Sequence, residues 1–307
     1  MSESSRRDFM KTVAWSTGGI GLATLAACTP STSGTTAGTA GAAASGASNA
    51  TGRLAQILNR GKLRVGVTLT IPPFGFQDSG GNPTGFDIDV AKILGKALYG
   101  ADNKVQFVEQ AMDARLPNLI TGKTDISIQL TTVTAARAQT VEFCIPYYRD
   151  GNTTLMPANS RYSSALDMRG HNVKLSILQN SFAEDFAKQG VPDAQVLQFP
   201  AVADAILAVD TGRADAYVGG FGEINYFNTN HVGKYKVGTY GWLAQTYSAA
   251  IAPGDQRFLN WCNTAFHEML VGVDWTAYQA AYKKYFSVQL TDPPVGFPIE
   301  FGLRTSH

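Results

Sequence analysis

The chain has 307 residues, 44% of them hydrophobic and 16% charged, and its 25 Lys and Arg against 24 Asp and Glu give a formal net charge of +1. That length and hydrophobic share can bury one large core or two of medium size, and near-neutrality leaves no electrostatic footprint for nucleic acid. His171, His231, His267 and His307 show no paired spacing and the three cysteines form no C-x-x-C pattern, so no metal site, redox site or other cofactor is expected.

The N-terminus reads as an address. Arg6-Arg7 is followed by Asp8, Phe9, Met10 and Lys11, and Val13 to Ala27 is a weakly apolar run rich in Gly and Ala, too short and too glycine-rich for a membrane span. The arrangement resembles a twin-arginine export signal. Leu25-Ala26-Ala27-Cys28 resembles a bacterial lipobox, in which Cys28 becomes the new N-terminus and carries the lipid. A signal over 1–27 is therefore expected. Residues 28–52 are almost entirely Gly, Ala, Ser and Thr, which cannot bury a core. They are expected to form a tether with a root-mean-square reach of about 25–30 Å. Cys144 and Cys262 are read as small buried residues rather than a disulfide.

In the body, Leu54 to Leu58 gives an amphipathic turn, Leu63 to Val67 a strand, and Pro72-Pro73 a stop. Gly80-Gly81-Asn82 predicts a hairpin, and a helix follows Gly85 with Val90, Ile93, Leu94 and Ala97 on one face. Val105 to Val108 is a strand, and Arg115 to Ile120 a helix ended by Gly122. Past an extended stretch at Val141 to Tyr148 the pattern restarts: strand Val173 to Leu178, helix Phe182 to Gln189 opened by Ser181, strand Val196 to Phe199, helix Val202 to Val209, strand Asp215 to Val218. Strand, helix, strand, helix, strand occurs twice, which predicts two α/β lobes with parallel sheets. Strands at Tyr235 to Val237 and Tyr247 to Ala252 and helices at Phe258 to Val271 and Trp275 to Tyr285 complete the body, and the tail Ser287 to His307 is expected to run extended along a lobe.

Asp125 to Arg137 stands out. Ile126 to Leu130 alternates like a strand, and Thr131, Thr132 and Thr134 offer hydroxyls for a helix start. With Thr134 as N-cap, Arg137 falls in the first helical turn, the unfavourable end of the dipole for a cation unless an anion binds there. The alternative is an arginine paired with a nearby glutamate or solvated.

Several stretches, in order, resemble the extracytoplasmic solute-binding proteins of ABC importers, specifically the polar amino-acid-binding family, bacterial solute-binding protein family 3. They include Gly61 to Val67, Pro72 to Phe76, Gly85 to Ala91, Arg115-Leu116-Pro117-Asn118-Leu119, Gly122 to Ile126, Thr132-Val133-Thr134 with Arg137-Ala138, Pro146-Tyr147-Tyr148, Gly212 to Ala216, and Tyr282 to Phe286. The resemblance implies an α/β, two-lobed periplasmic-binding-protein fold of type II, with 53–148 and 246–307 in lobe 1 and 149–245 in lobe 2. The chain would cross near Tyr148 to Gly151 and Tyr240 to Gln245, with ligand in the cleft and closure by hinge motion.

Residue by residue, the resemblance places Arg137 on the ligand's α-carboxylate with Thr132 beside it, and Leu130 where a backbone carbonyl accepts from the ligand ammonium. Gln179-Asn180-Ser181-Phe182 matches the second-lobe loop that grips the carboxylate, with Asn180 and Phe182 as departures. Thr68 stands where the family often has aspartate, Ile71 and Met112 replace aromatic clamp residues, and Gly220 replaces the aspartate that pairs with the ammonium. Loss of that charge-assisted bond is typically worth roughly 1.5–3 kcal/mol. Either Glu223 substitutes or the ligand lacks an α-ammonium; on its own Glu223 reads as a solvated side chain, and Phe74 and Phe76 read as packing residues.

The expected function is a lipid-anchored, monomeric, non-enzymatic binding protein that delivers a small carboxylate-bearing solute, an amino acid or a related compound, to ABC permease subunits. The missing acidic residues disfavour Lys, Arg and His as ligands. Two alternatives are a cyclohexadienyl-dehydratase-like enzyme on the same fold, with Glu223 or Glu184 as acid, and a ligand-sensing partner of a membrane receptor.

Overall fold

The computed structural model describes residues 52–179 and 183–293. Helix α1 (Arg53–Arg60) ends at Gly61 in the left-handed conformation and leads into β1 (Leu63–Val67). The short strands β2 (Thr70–Ile71), β3 (Gly75–Gln77) and β4 (Pro83–Thr84) form a separate small sheet, with Gly80-Gly81-Asn82 turning between the last two. Helix α2 (Phe86–Tyr99) carries Asp87 and Asp89 in its first turn and stops at Gly100; it buries Val90, Ile93 and Leu94 as expected, whereas Ala97 is exposed. Then come β5 (Val105–Glu109), α3 (Arg115–Ile120), β6 (Ile126–Thr132) and the short β7 (Glu142–Phe143).

Strand β8 (Tyr148–Pro157) leads to a second set of elements: β9 (Lys174–Leu178), α4 (Ala183–Gly190), β10 (Gln195–Phe199), α5 (Val202–Asp210), β11 (Ala216–Gly220), α6 (Phe221–Asn230) and β12 (Tyr235–Val237). Strand β13 (Trp242–Ile251) returns to the first set, and α7 (Gln256–Val271) and α8 (Trp275–Phe286) close the chain. Helix α6 has no counterpart among the expected elements. Its sequence, Phe-Gly-Glu-Ile-Asn-Tyr-Phe-Asn-Thr-Asn, lacks strong helix formers apart from Glu223, and its N-cap residue, Gly220, has no side chain to cap it, so tertiary contacts rather than propensity hold it helical.

The main sheet runs β10-β9-β11-β8-β13-β6-β1-β5. At one end β5, β1 and β6 are mutually parallel, at the other β10, β9 and β11 are parallel, and β8 and β13 join the halves by antiparallel pairing. The parallel sheets of the two lobes thus belong to one continuous curled sheet. Strand β6, read as alternating, is buried on both faces because β1 and β13 flank it and helices cover it.

The two halves share one local device. Gly122 and Gly212, at φ 72° and 69°, each reverse the chain after a helix, a conformation that favours glycine. Three residues later Asp125 and Asp215 donate their N–H groups to the carbonyls of Arg64 and Lys174 (2.9 and 2.7 Å). Their carboxylates accept from the N–H groups of the same two residues, at 2.8 Å each. In the first half the device is reinforced: Arg53, Arg60 and Arg64 converge on the fully buried carboxylate of Asp125.

Aromatic rings fill the junction between the halves. Tyr148 of β8 and Tyr247 of β13, partners in the ladder, stack at 5.9 Å with planes 11° apart. Phe74 meets both edge-on, in line with its reading as a packing residue. Cys144 and Cys262 are free and buried. The tail turns back along α8, with Gln279 Nε2 donating to the Leu290 carbonyl at 2.7 Å and Trp275 Nε1 to Asp292 at 2.9 Å.

Candidate functional site

The ends of β6 and β11 face each other across the junction and, with β13 and the first turn of α6, enclose a cavity of about 80 Å³. That is well below the volume of a drug-sized site and suits a small solute. Of the expected site residues, Ile71, Met112, Leu130, Thr132, Arg137 and Gly220 all line it. Thr68 does not. It lines an adjoining groove of about 1040 Å³, shared with Met112, Arg115 and Arg137, and reached from the other half by Gln179, Gln198 and Pro200. Cys28, Ser181 and Phe182 lie outside the described residues. A further hollow of about 710 Å³ beyond the crossing strands is lined by Tyr148, Phe221, Trp242 and Tyr282 among others. It is larger and is lined by Arg149, Asp150 and Lys284, but it contains none of Arg115, Arg137 and Glu223, which meet at the smaller cavity.

Arg137 is placed differently from the expectation. No α-helix begins at Thr134; Arg137–Gln139 is a single 3-10 turn, which the Thr134 hydroxyl closes by accepting from the Arg137 N–H at 3.2 Å. One turn gathers too few aligned peptides for a helix-end field, so the dipole argument for Arg137 falls. The side chain is fixed instead by its guanidinium, which donates from Nη1 to the Thr132 carbonyl at 3.0 Å. Burial lowers its pKa, which marks a cation taken largely out of water.

Leu130 sits at φ 43°, in the left-handed region that a branched side chain seldom adopts. Its N–H leaves the ladder to meet the buried Asp87 carboxylate at 3.2 Å, and Asp87 also accepts from the Tyr147 hydroxyl at 2.8 Å. The β6–β13 register shifts at this point. A kink in the central strand therefore stands at the cavity wall.

The acidic side of the cavity corrects two readings. Glu223, read as solvated, is only 6% exposed and lines the cavity. Its carboxyl accepts from the Tyr217 hydroxyl, and burial, with Asp150 nearby, pushes its pKa up to about 8. Glu184, the other acid considered, is an exposed residue of α4 paired with Lys188 at 2.7 Å, and does not line the cavity.

Asp150, from β8, was not singled out in the sequence. Its Oδ1 accepts from the N–H groups of Gly151 and Phe221, both at 2.9 Å, and so caps the start of α6. Burial raises its pKa to about 6. A Cβ on Gly220 would lie 2.3 Å from Asp150 Oδ2. Glycine at 220 thus leaves room for a carboxylate delivered from another strand, one that the motif comparison by position could not reveal. Tyr247 donates to Asp150 Oδ2 at 3.4 Å, accepts from Gln245 Nε2 at 3.1 Å, and Thr132 reaches Gln245 Oε1 at 3.5 Å. These contacts connect the basic and acidic walls through β13. Arg115, quoted in the sequence only as part of a motif, is 4% exposed and lines both cavity and groove. Only tertiary burial separates it from an ordinary helix-surface arginine.

Among the described residues no cluster of His, Cys, Asp and Glu could hold a metal ion, and no helix is long and apolar enough to cross a membrane.

The profile of the bacterial extracellular solute-binding proteins, family 3, matches residues 63–288. A glutamine-binding protein of Geobacillus stearothermophilus is 34% identical over 54% of the chain, which spans 63% of that relative, just under two thirds of its length. The ABC transporter glutamine-binding protein GlnH of Bacillus subtilis is 28% identical over 76% of the chain and 84% of its own length. Among solved structures, the ancestral amino acid-binding protein AncCDT-1, described as a precursor of cyclohexadienyl dehydratase, superposes with a TM-score of 0.69 at 33% identity, covering 76% of this chain and 100% of that one.

Proposed function

Because the chain belongs to the bacterial extracellular solute-binding proteins, family 3, we propose that it captures a small α-amino acid in the cavity between β6 and β11 and delivers it to the permease of an ABC importer. The observation that carries this reading is the pairing of Arg137 and Thr132 with Glu223 around one small cavity. The guanidinium and hydroxyl suit an α-carboxylate, while Glu223 and the neighbouring Asp150 suit an α-ammonium. The carboxylate side follows the family pattern; the ammonium side is rebuilt from Glu223 and Asp150 in place of an aspartate at 220.

In this reading the protein is exported through its twin-arginine-type signal, is held to the membrane by lipid on Cys28, and works as a monomer whose lobes close over the ligand. Lobe 1 comprises 53–148 and 246–307, and lobe 2 comprises 149–245. Ile71, Met112, Leu130 and Gly220 complete the ligand's surroundings, with Thr68 in the adjoining groove. Calorimetric titration of the purified protein against the common L-amino acids and their deaminated analogues tests the reading. Saturable binding of an amino acid supports it, and failure of every carboxylate to bind overturns it. For the anchor, Cys28→Ser is expected to release the protein from the membrane fraction, and an unchanged distribution refutes lipidation.

One observation favours a second reading. A buried carboxyl with pKa near 8 is protonated at neutral pH, the state a general acid requires. An activity like that of cyclohexadienyl dehydratase would have Glu223 protonate the departing hydroxyl of a prephenate-type acid while the ring carboxylate leaves as carbon dioxide. Incubation with prephenate, followed by absorbance of the aromatic product, decides it; an inert mixture dismisses the enzyme.

A further inference from the structure

We propose that Arg115 is the residue that sets ligand class: it binds the side-chain carboxylate of an acidic α-amino acid whose α-carboxylate is held by Arg137. The inference rests on the reading of the cavity as an amino-acid site and names the substrate within it.

Two groups of arginines in the same half of the protein make the case. Arg53 and Arg64 are half-buried and Arg60 is exposed, and all three converge on the Asp125 carboxylate. Arg115 is far more buried, at 4% exposed, yet among the described residues no carboxylate lies within 4.0 Å of it. Its hydrogen bonds from Nη1 go to neutral acceptors, the Gln129 carbonyl at 3.2 Å and the Met112 sulfur at 3.8 Å. Gln129 cannot take more of the load, because its own amide is engaged by Gln110. A desolvated guanidinium without a counter-ion is costly, and such charges persist where they are paired on function. The free energy of that missing pair is available to an anion entering the cavity and groove that Arg115 lines.

Charge balance selects the ligand. The cavity offers two guanidinium groups, Arg115 and Arg137, on one side and the carboxyl of Glu223 on the other. Two anion holders facing one ammonium site, formed by Glu223 with Asp150 beside it, match a molecule with two carboxylates and one ammonium, as in L-aspartate and L-glutamate. Burial, with repulsion from Arg137 second, lowers the Arg115 pKa to about 9, which still leaves it protonated at neutral pH. A cationic side chain would add a third positive charge here. An amide side chain would leave Arg115 with a hydrogen bond but no neutralising charge.

The test is competitive calorimetry at pH 7 with L-aspartate, L-glutamate, L-asparagine, L-glutamine, L-alanine and L-arginine. The wild-type protein is expected to bind one of the acidic ligands at least 10-fold tighter than its amide counterpart and than arginine. Arg115→Met is expected to lose at least 100-fold for that acid while changing alanine or amide binding by less than 10-fold. Arg115→Lys, which keeps the charge, should retain the order of preference at reduced affinity, and covers the case in which Arg115→Met does not fold. Tighter binding of glutamine or arginine than of both acids overturns the inference and leaves the amino-acid site standing. Absence of binding by any amino acid overturns both.

Discussion

The two walls of the cavity are built from equivalent strands but loaded with opposite charge. Strand β6 and its flanking segments present Arg115, Thr132 and Arg137, while β11 and α6 present Tyr217, Gly220 and Glu223. Behind each wall the same glycine–aspartate device ties the incoming loop to a neighbouring strand, yet Asp125 is buried among three arginines and Asp215 is exposed. The difference teaches that the repeated topology supplies only a frame. What each wall recognises is decided by a few side chains added to it, and the basic wall is anchored more heavily than the acidic one.

The basic wall breaks most completely at Arg137. Arg137→Ala removes a charge-assisted contact to the ligand carboxylate and is expected to weaken binding at least about 100-fold, roughly 3 kcal/mol. Titration calorimetry reads it, and an unchanged affinity would overturn the assignment of that wall.

The anchors differ in stability. Asp125→Ala leaves three arginines without their shared carboxylate and is expected to cost about 3 kcal/mol, whereas Asp215→Ala should cost about 1 kcal/mol, the value of an ordinary hydrogen bond. Urea unfolding of the two variants compares them directly; equal losses would remove the asymmetry of anchoring.

The acidic wall should reveal itself through pH. Glu223, Asp150 and Asp87 have folded pKa values of about 8, 6 and 7 against ordinary values of 4.5, 3.8 and 3.8, all raised first by burial. Between the ordinary and the raised value the folded state holds more protons than the unfolded one, so stability is highest at acid pH and falls as pH rises through that window. The ligand-free protein is therefore expected to lose at least about 1 kcal/mol between pH 5 and pH 8. Glu223→Gln should flatten that fall, as read by thermal unfolding across the range, and an equally steep fall in the variant would remove Glu223 from the account.

Much of the frame was legible in the sequence, because hydrophobic periodicity and glycine stops report local structure. The strand–helix repeats, the helix after Gly85 and the stop at Gly122 follow from such signals. Arg137 and Thr132, which the resemblance places side by side, both line the cavity, whereas the dipole reading of Arg137 did not hold: a 3-10 turn stands where a helix was expected. What escaped were features that only packing creates. Helix α6 has a sequence of weak helix propensity, so Glu223 looked like a loop residue in solvent. Asp150 comes from a crossing strand that sequence distance separates from Gly220 by 70 positions, and nothing local predicts that its carboxylate fills the space beside that glycine. Arg115 stood out only as part of a motif, because burial without a counter-ion leaves no mark on the sequence.

The central claim is that a basic wall holds a carboxylate while a protonated Glu223 on the opposite wall gives up its proton to pair with an ammonium. Proton release on binding tests it most directly. Calorimetric titration of the preferred L-amino acid at pH 7, repeated in buffers of different ionisation enthalpy, is predicted to show close to one proton released by the wild-type protein and almost none by Glu223→Gln. The deaminated acid should bind without release. Release that is absent in the wild type, or equal in the variant, would contradict the account.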